Sequence, residues 1–122
     1  MEYVHNKAVA VLLLAIVALL VPATLQAHAV LVESNPKASS TVKGPDFSVT
    51  LRFNVRVDGS RSRSTVVLPD GTTVPLNFDP QVKPNILSGK ASGLAAGKYK
   101  LQWQVLAADG HITRGEFSFN VE

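Results

Sequence analysis

Apolar and polar residues alternate strictly along three stretches of the chain. Over 47–55, Phe47, Val49, Leu51, Phe53 and Val55 fall on one face, and Ser48, Thr50, Arg52 and Asn54 on the other. Over 98–105, Tyr99, Leu101, Trp103 and Val105 alternate with Lys98, Lys100, Gln102 and Gln104, and over 116–121 Phe117, Phe119 and Val121 alternate with Glu116, Ser118 and Asn120. A period of two is the signature of a strand with one buried face. Shorter strands are predicted over 30–33, 65–68, 73–77 and 86–88. Pro69-Asp70-Gly71 closes a hairpin, Gly93 and Gly97 bracket a corner, and 80–85, with two prolines, is a loop. No stretch beyond residue 27 has helical periodicity of useful length. Seven short strands with frequent turns predict an all-β fold, a seven-stranded antiparallel Greek-key β-sandwich or barrel, in one domain over 28–122.

The N-terminal pattern is different. Ala8 to Val21 is an unbroken apolar run of fourteen residues, preceded by Lys7 and followed by Pro22 and the small or polar stretch Ala23-Thr24-Leu25-Gln26-Ala27. A spanning helix needs roughly 20 apolar residues. The order of basic, apolar and small segments predicts a secretory signal peptide over 1–27. Cleavage after Ala27 leaves His28 as the first mature residue. Cleavage after Ala29 matches the A-x-A pattern better and discards His28. The signal pattern alone leaves both open.

Composition narrows the chemistry. There is no cysteine, which excludes a disulfide framework, a redox CxxC pair, a thiolate zinc site and a cysteine nucleophile. The balance of 12 Lys+Arg against 9 Asp+Glu is a small and dispersed excess, so nucleic acid is not an expected partner. The sole methionine is Met1. Ser60, Ser62 and Ser64 are not a nucleophile system, because no histidine follows an elbow pattern around them.

Asp109-Gly110-His111 lies in the predicted loop 107–114 between the two best strands. Asp109 and His111 share the odd parity of the inward-facing residues. With an extended chain and no bulge, both project from the core face at the open end of the sandwich. Gly110 between them presents no side chain and leaves room for a third group. Asp-Gly is also a favoured hairpin turn, so this run by itself is a weak signal. Its weight comes from His28, since only these two histidines survive removal of the leader. As an N-terminal residue His28 offers the α-amine and imidazole Nδ1 to one ion. With one nitrogen of His111 and one oxygen of Asp109 the donor set is N3O. Tetragonal N,O ligation suits Cu(II), and zinc accepts the same atoms tetrahedrally.

The stretch His28-Ala29-Val30-Leu31 through Ser34-Asn35-Pro36, the strand Leu51-Arg52-Phe53-Asn54, the corner Leu94-Ala95-Ala96-Gly97-Lys98-Tyr99, the run from Trp103 to His111 and the closing Gly115-Glu116-Phe117-Ser118-Phe119 resemble the CopC family of periplasmic copper-binding proteins. The resemblance runs in order over essentially all of 28–122. It implies an exported, immunoglobulin-like sandwich that holds one Cu(II) per chain, with His28, Asp109 and His111 as ligands. It also implies the cut at Ala27, a role in copper trafficking, buffering or resistance, a periplasmic location, and a CopD-type inner-membrane copper transport protein as partner. The expected protein is a monomer and not an enzyme.

Two departures from the family pattern stand out. No methionine remains after residue 1, which removes a thioether Cu(I) site. Many members carry an acid where this chain has Val55, a side chain that cannot hydrogen-bond a ligand, and Asp58 and Glu33 are the candidates to compensate. Two rival readings stand beside the carrier. One is a copper enzyme of the monooxygenase kind, which also uses an N-terminal His; the small size and Asp109 in the ligand set argue against it. The other is a metal-free structural sandwich. Arg52, Arg56, Arg61, Arg63 and Arg114 are either a docking patch for an acidic or membrane partner or an ordinary solvated face. Trp103 is read as core.

Overall fold

The computed structural model describes residues 28–122, so the predicted leader lies outside the described residues. Eight strands follow in order: β1 (Leu31–Asn35), β2 (Thr41–Val42), β3 (Phe47–Phe53), β4 (Val57–Val67), β5 (Thr73–Leu76), β6 (Ile86–Ala91), β7 (Gly97–Ala107) and β8 (Ile112–Val121). They form a three-stranded sheet, β1-β3-β6, and a five-stranded sheet, β2-β8-β7-β4-β5. The chain crosses between sheets at β1–β2, β2–β3, β3–β4, β5–β6 and β6–β7, which is the predicted Greek-key sandwich. The count is eight instead of seven. The added strand β2 is only two residues long and pairs with β8 in parallel, so the fold is not purely antiparallel. A parallel pair that short has no hydrophobic period to reveal it.

The core follows the alternation. Val49, Leu51 and Phe53 from β3 meet Leu101, Trp103 and Val105 from β7, with Leu87, Val66 and Phe119 around them, all buried. Burying such a side chain contributes about 1.5–3 kcal/mol. The Trp103 ring stands edge-on to Phe53, with centroids 5.2 Å apart at 74°. On its own sheet Trp103 lies opposite Gly115. A Cβ at Gly115 would press on ring atom Cζ2 and lie 2.6 Å from Cε2, so the glycine is what lets the indole fold flat over β8.

β4 and β8 exceed the lengths predicted from the sequence pattern by the most. β4 begins at Val57, eight residues before the apolar alternation, because a wide bulge interrupts its pairing with β7 between Asp58 and Arg63. Side chains fill the break. Ser62 Oγ donates to Asp58 O (2.6 Å) and accepts from Leu106 N (3.1 Å). Ser64 Oγ donates to Gln102 O (2.8 Å), and Ser60 Oγ donates to Asp58 Oδ1 (2.6 Å). The three serines therefore serve the strand. β8 begins at Ile112, which shortens the predicted loop 107–114 to a tight turn.

Candidate functional site

That turn carries the D-G-H run. Ala107 N donates to His111 O and Gly110 N to Ala107 O, both 2.9 Å, and Gly110 has φ +84°. This is a tight hairpin with its glycine in the left-handed region, and the same device closes β4–β5, where Gly71 has φ +88°. The extended geometry expected for 109–111 is therefore corrected. Asp109 and His111 meet because the turn brings them together, not because alternation carries past the ladder. His111 N donates to Asp109 Oδ1 (3.0 Å), and His111 Nδ1 lies 3.0 Å from Asp109 Oδ2. Gly110 is required by its backbone conformation and not for room, since nothing lies within 4 Å of where its Cβ would be. An L residue in that conformation costs about 1–2 kcal/mol. Gly110→Ala is expected to lower the unfolding free energy by about that amount with the fold retained. Urea unfolding measures it, and an unchanged stability would contradict the left-handed turn.

The Asp109 side chain is 22% exposed and that of His111 56%. The His111 backbone N–H, and after it the His111 side chain, hold the Asp109 carboxyl below the ordinary carboxylate range, with smaller contributions from the charges of His111 and His28. A lowered folded pKa means that the pair's stabilisation is present above the ordinary carboxylate value and is lost as pH falls through the folded one.

His28 reaches the same end of the sandwich from the other sheet. Ala29 is buried to 2% exposure and pins the chain. Asn54, just past β3, clips the next residue from both sides: Val30 N donates to Asn54 Oδ1 (2.7 Å) and Asn54 N donates to Val30 O (3.0 Å). The His28 imidazole is then left on the exposed rim, its centroid 6.0 Å from that of His111 and tilted by 55°. In the sequence Asn54 is only the last polar position of the alternating run 47–55, and nothing local marks it as the clip for Val30.

The three predicted residues thus share one end of the molecule. They do not form a ready-made side-chain cage: among the described residues no group of three or more His, Cys, Asp or Glu is gathered that could hold a metal ion. The two candidate compensating acids are engaged elsewhere, Glu33 with Arg52 (2.9 Å) and Asp58 with Ser60 and Arg61. Val55 packs against the core. The arginines are sorted as well. Arg114 Nε and Arg63 Nη2 both donate to Gln104 Oε1, at 2.8 and 3.3 Å, on the outer face of the five-stranded sheet. Among the described residues no helix is long and apolar enough to cross a membrane.

Residues 31–122 match the CopC domain family. The chain is similar to protein YobA of Escherichia coli K12, with 29% identity over 106 residues, 84% of this chain and 86% of that protein. It is similar to copper resistance protein C of Xanthomonas campestris pv. juglandis, with 27% identity over 125 residues, 95% and 97% of the two chains. Among solved structures it superposes on CopC from Methylosinus trichosporium OB3b with a TM-score of 0.72 and 33% identity, covering 78% of this chain and 94% of that one. PcoC, a methionine-rich copper resistance protein from E. coli, shares the fold with a TM-score of 0.65 at 24% identity, covering 79% and 100%. With the sandwich, the His28 rim and the D-G-H hairpin in place, the chain belongs to the CopC family.

Proposed function

We propose that the mature protein, beginning at His28 after cleavage at Ala27, is an exported carrier that holds one Cu(II) through His28, Asp109 and His111. The relatives named for copper resistance supply the metal, and the approach of His28 to His111 carries the reading. An imidazole nitrogen sits about 2 Å from a bound metal and about 3 Å separates the ion from the ring centre, so two rings sharing one ion have centres up to roughly 6 Å apart. The observed 6.0 Å lies within that reach. The α-amine created by signal cleavage would add a further nitrogen donor to these side chains. Asp109, an anion 3.0 Å from His111 Nδ1, would supply the oxygen donor beside the His111 imidazole. Nitrogen and oxygen donors without sulfur favour Cu(II) over Cu(I). Such a carrier buffers the ion or passes it to a membrane partner of the CopD type, from the periplasm or its equivalent.

The experiment is Cu(II) titration of the protein secreted from the full chain, followed by EPR and intact mass. The expected mass begins at His28 and rises by one copper, with a single tetragonal spectrum. His111→Ala is expected to lose that spectrum while unfolding in urea as the parent does. Several weak copper signals that survive His111→Ala would overturn the assignment, as would a mature chain beginning at Val30.

A further inference from the structure

We propose that a depression beside the D-G-H hairpin is a docking site for an acidic segment of the protein that exchanges copper with this one. Its walls come from the start of β4, the end of β7 and the loop 80–85, and it encloses about 620 Å³. Arg56, Asp58, Val82, Lys83, Ala108 and Gly110 are among its lining residues. It thus shares its wall with the turn that holds Asp109 and His111.

The charge of this depression is unbalanced. Arg52, Arg61, Arg63 and Arg114 all have partners: Glu33, Asp58 and, for the last two, Gln104. Arg56 and Lys83 have no side-chain ion pair or hydrogen bond among the described residues. Asp58 is the one anion in the lining; its carboxylate faces Arg61 (3.8 Å), whose charge offsets it, so Arg56 and Lys83 stay in excess. Two uncommitted cations therefore border one concavity, the arrangement that attracts carboxylates and speeds encounter with an acidic partner.

The loop is built to hold its shape. Gln81 Nε2 lies 3.0 Å from the carbonyl oxygens of Val57, Lys83 and Pro84, and Gln81 Oε1 accepts from Gly59 N at 3.1 Å. Val57 N donates to Pro84 O (2.9 Å), and Asn85 Nδ2 to Phe53 O (3.1 Å). This knot fastens the loop to β3 and β4 on both sides. At its tip Val82 is 94% exposed, the most exposed large apolar side chain among those described. A rigid apolar tip flanked by cations gives a partner an anchor at little ordering cost. A membrane surface suits it less well. One valine offers little apolar area to a bilayer, which recognises an extended apolar face, and a concavity fits an inserted side chain better than a flat surface.

The partner's role rests on the copper-carrier reading; the docking itself does not, and the test separates them. ¹⁵N-labelled protein secreted from the full chain is titrated, without copper, with an acetylated peptide of alternating glutamate and leucine. A glutamine–leucine peptide and phosphatidylglycerol vesicles serve as the comparison arms. The acidic peptide alone is expected to give saturable amide shifts at Arg56, Val82, Lys83 and Ala108. Raising the ionic strength from about 0.05 to about 0.5 M is expected to weaken them at least about tenfold. The double charge reversal R56E/K83E is expected to abolish them and to leave the Cu(II) EPR spectrum of the parent unchanged, because neither residue is a ligand. The proposal is overturned by shifts spread equally over Lys37, Lys43, Lys90 and Lys98, by shifts that persist in the double variant, by binding to vesicles in place of the peptide, or by no shifts at all. Loss of copper binding in the parent protein would instead strike the carrier reading and leave the docking result standing.

Discussion

A methionine placed ahead of His28 is expected to lower Cu(II) affinity by at least about a hundredfold while leaving the sandwich intact. The extension keeps the imidazole and turns the His28 nitrogen into an amide, so the chelate between amine and Nδ1 is lost. Even the outer partners of metal ligands change affinity about 10–100-fold when removed, and a ligand should count for no less. The fold should not respond, because the chain is held downstream by buried Ala29 and by the two hydrogen bonds of Asn54 to Val30. The same extension predicts a change in pH dependence. An α-amine ordinarily titrates near ~7.7–8.0, and amine and imidazole nitrogens bind metal only when unprotonated. Affinity of the native form should therefore fall as pH drops from about 8 to about 6. Asp109, held below the ordinary carboxylate range by the His111 N–H, stays ionised throughout and adds nothing to that slope. The extended form should start weaker and release one proton fewer on binding. Calorimetric titration at several pH values measures both, and equal affinity and slope in the two forms would remove the amine from the ligand set.

Phe53→Ala should give the largest loss of stability, about 3–5 kcal/mol. Phe53 is completely buried, and its ring packs edge-on against Trp103, so the truncation leaves a cavity between the two sheets. Native domains are stable by only about 5–15 kcal/mol, and a domain of this size with no cysteine has little reserve. The effect should reach the rim as well. Phe53 O accepts from Asn85, Phe53 N donates to Asn85 O, and the next residue, Asn54, holds Val30. Urea unfolding followed by the fluorescence of Trp103 measures the loss. A change below about 1 kcal/mol would mean that the cavity collapses at no cost, against the close packing seen here.

Sequence alone determined the layer structure, because alternation is a local property. Phe47 to Phe53 and Tyr99 to Val105 put their apolar side chains on one face whatever the rest of the chain does, and Asp70-Gly71 turns the chain wherever it lies. It also marked His28, Asp109 and His111, since a chain with so few histidines leaves few choices. What it could not decide was anything set by the partner of a strand. β2 is two residues held by β8, and the first half of β4 is held by β7 across a bulge that Ser62 fills, so neither has a period of its own. The meeting of Asp109 with His111 depended on a left-handed glycine, which sequence allows but does not impose. The approach of His28 to His111 joins positions 83 residues apart in the chain, and it rests on the burial of Ala29 and on Asn54, just past β3, which clips Val30. Such long-range closure is decided by packing, and packing is visible only in three dimensions.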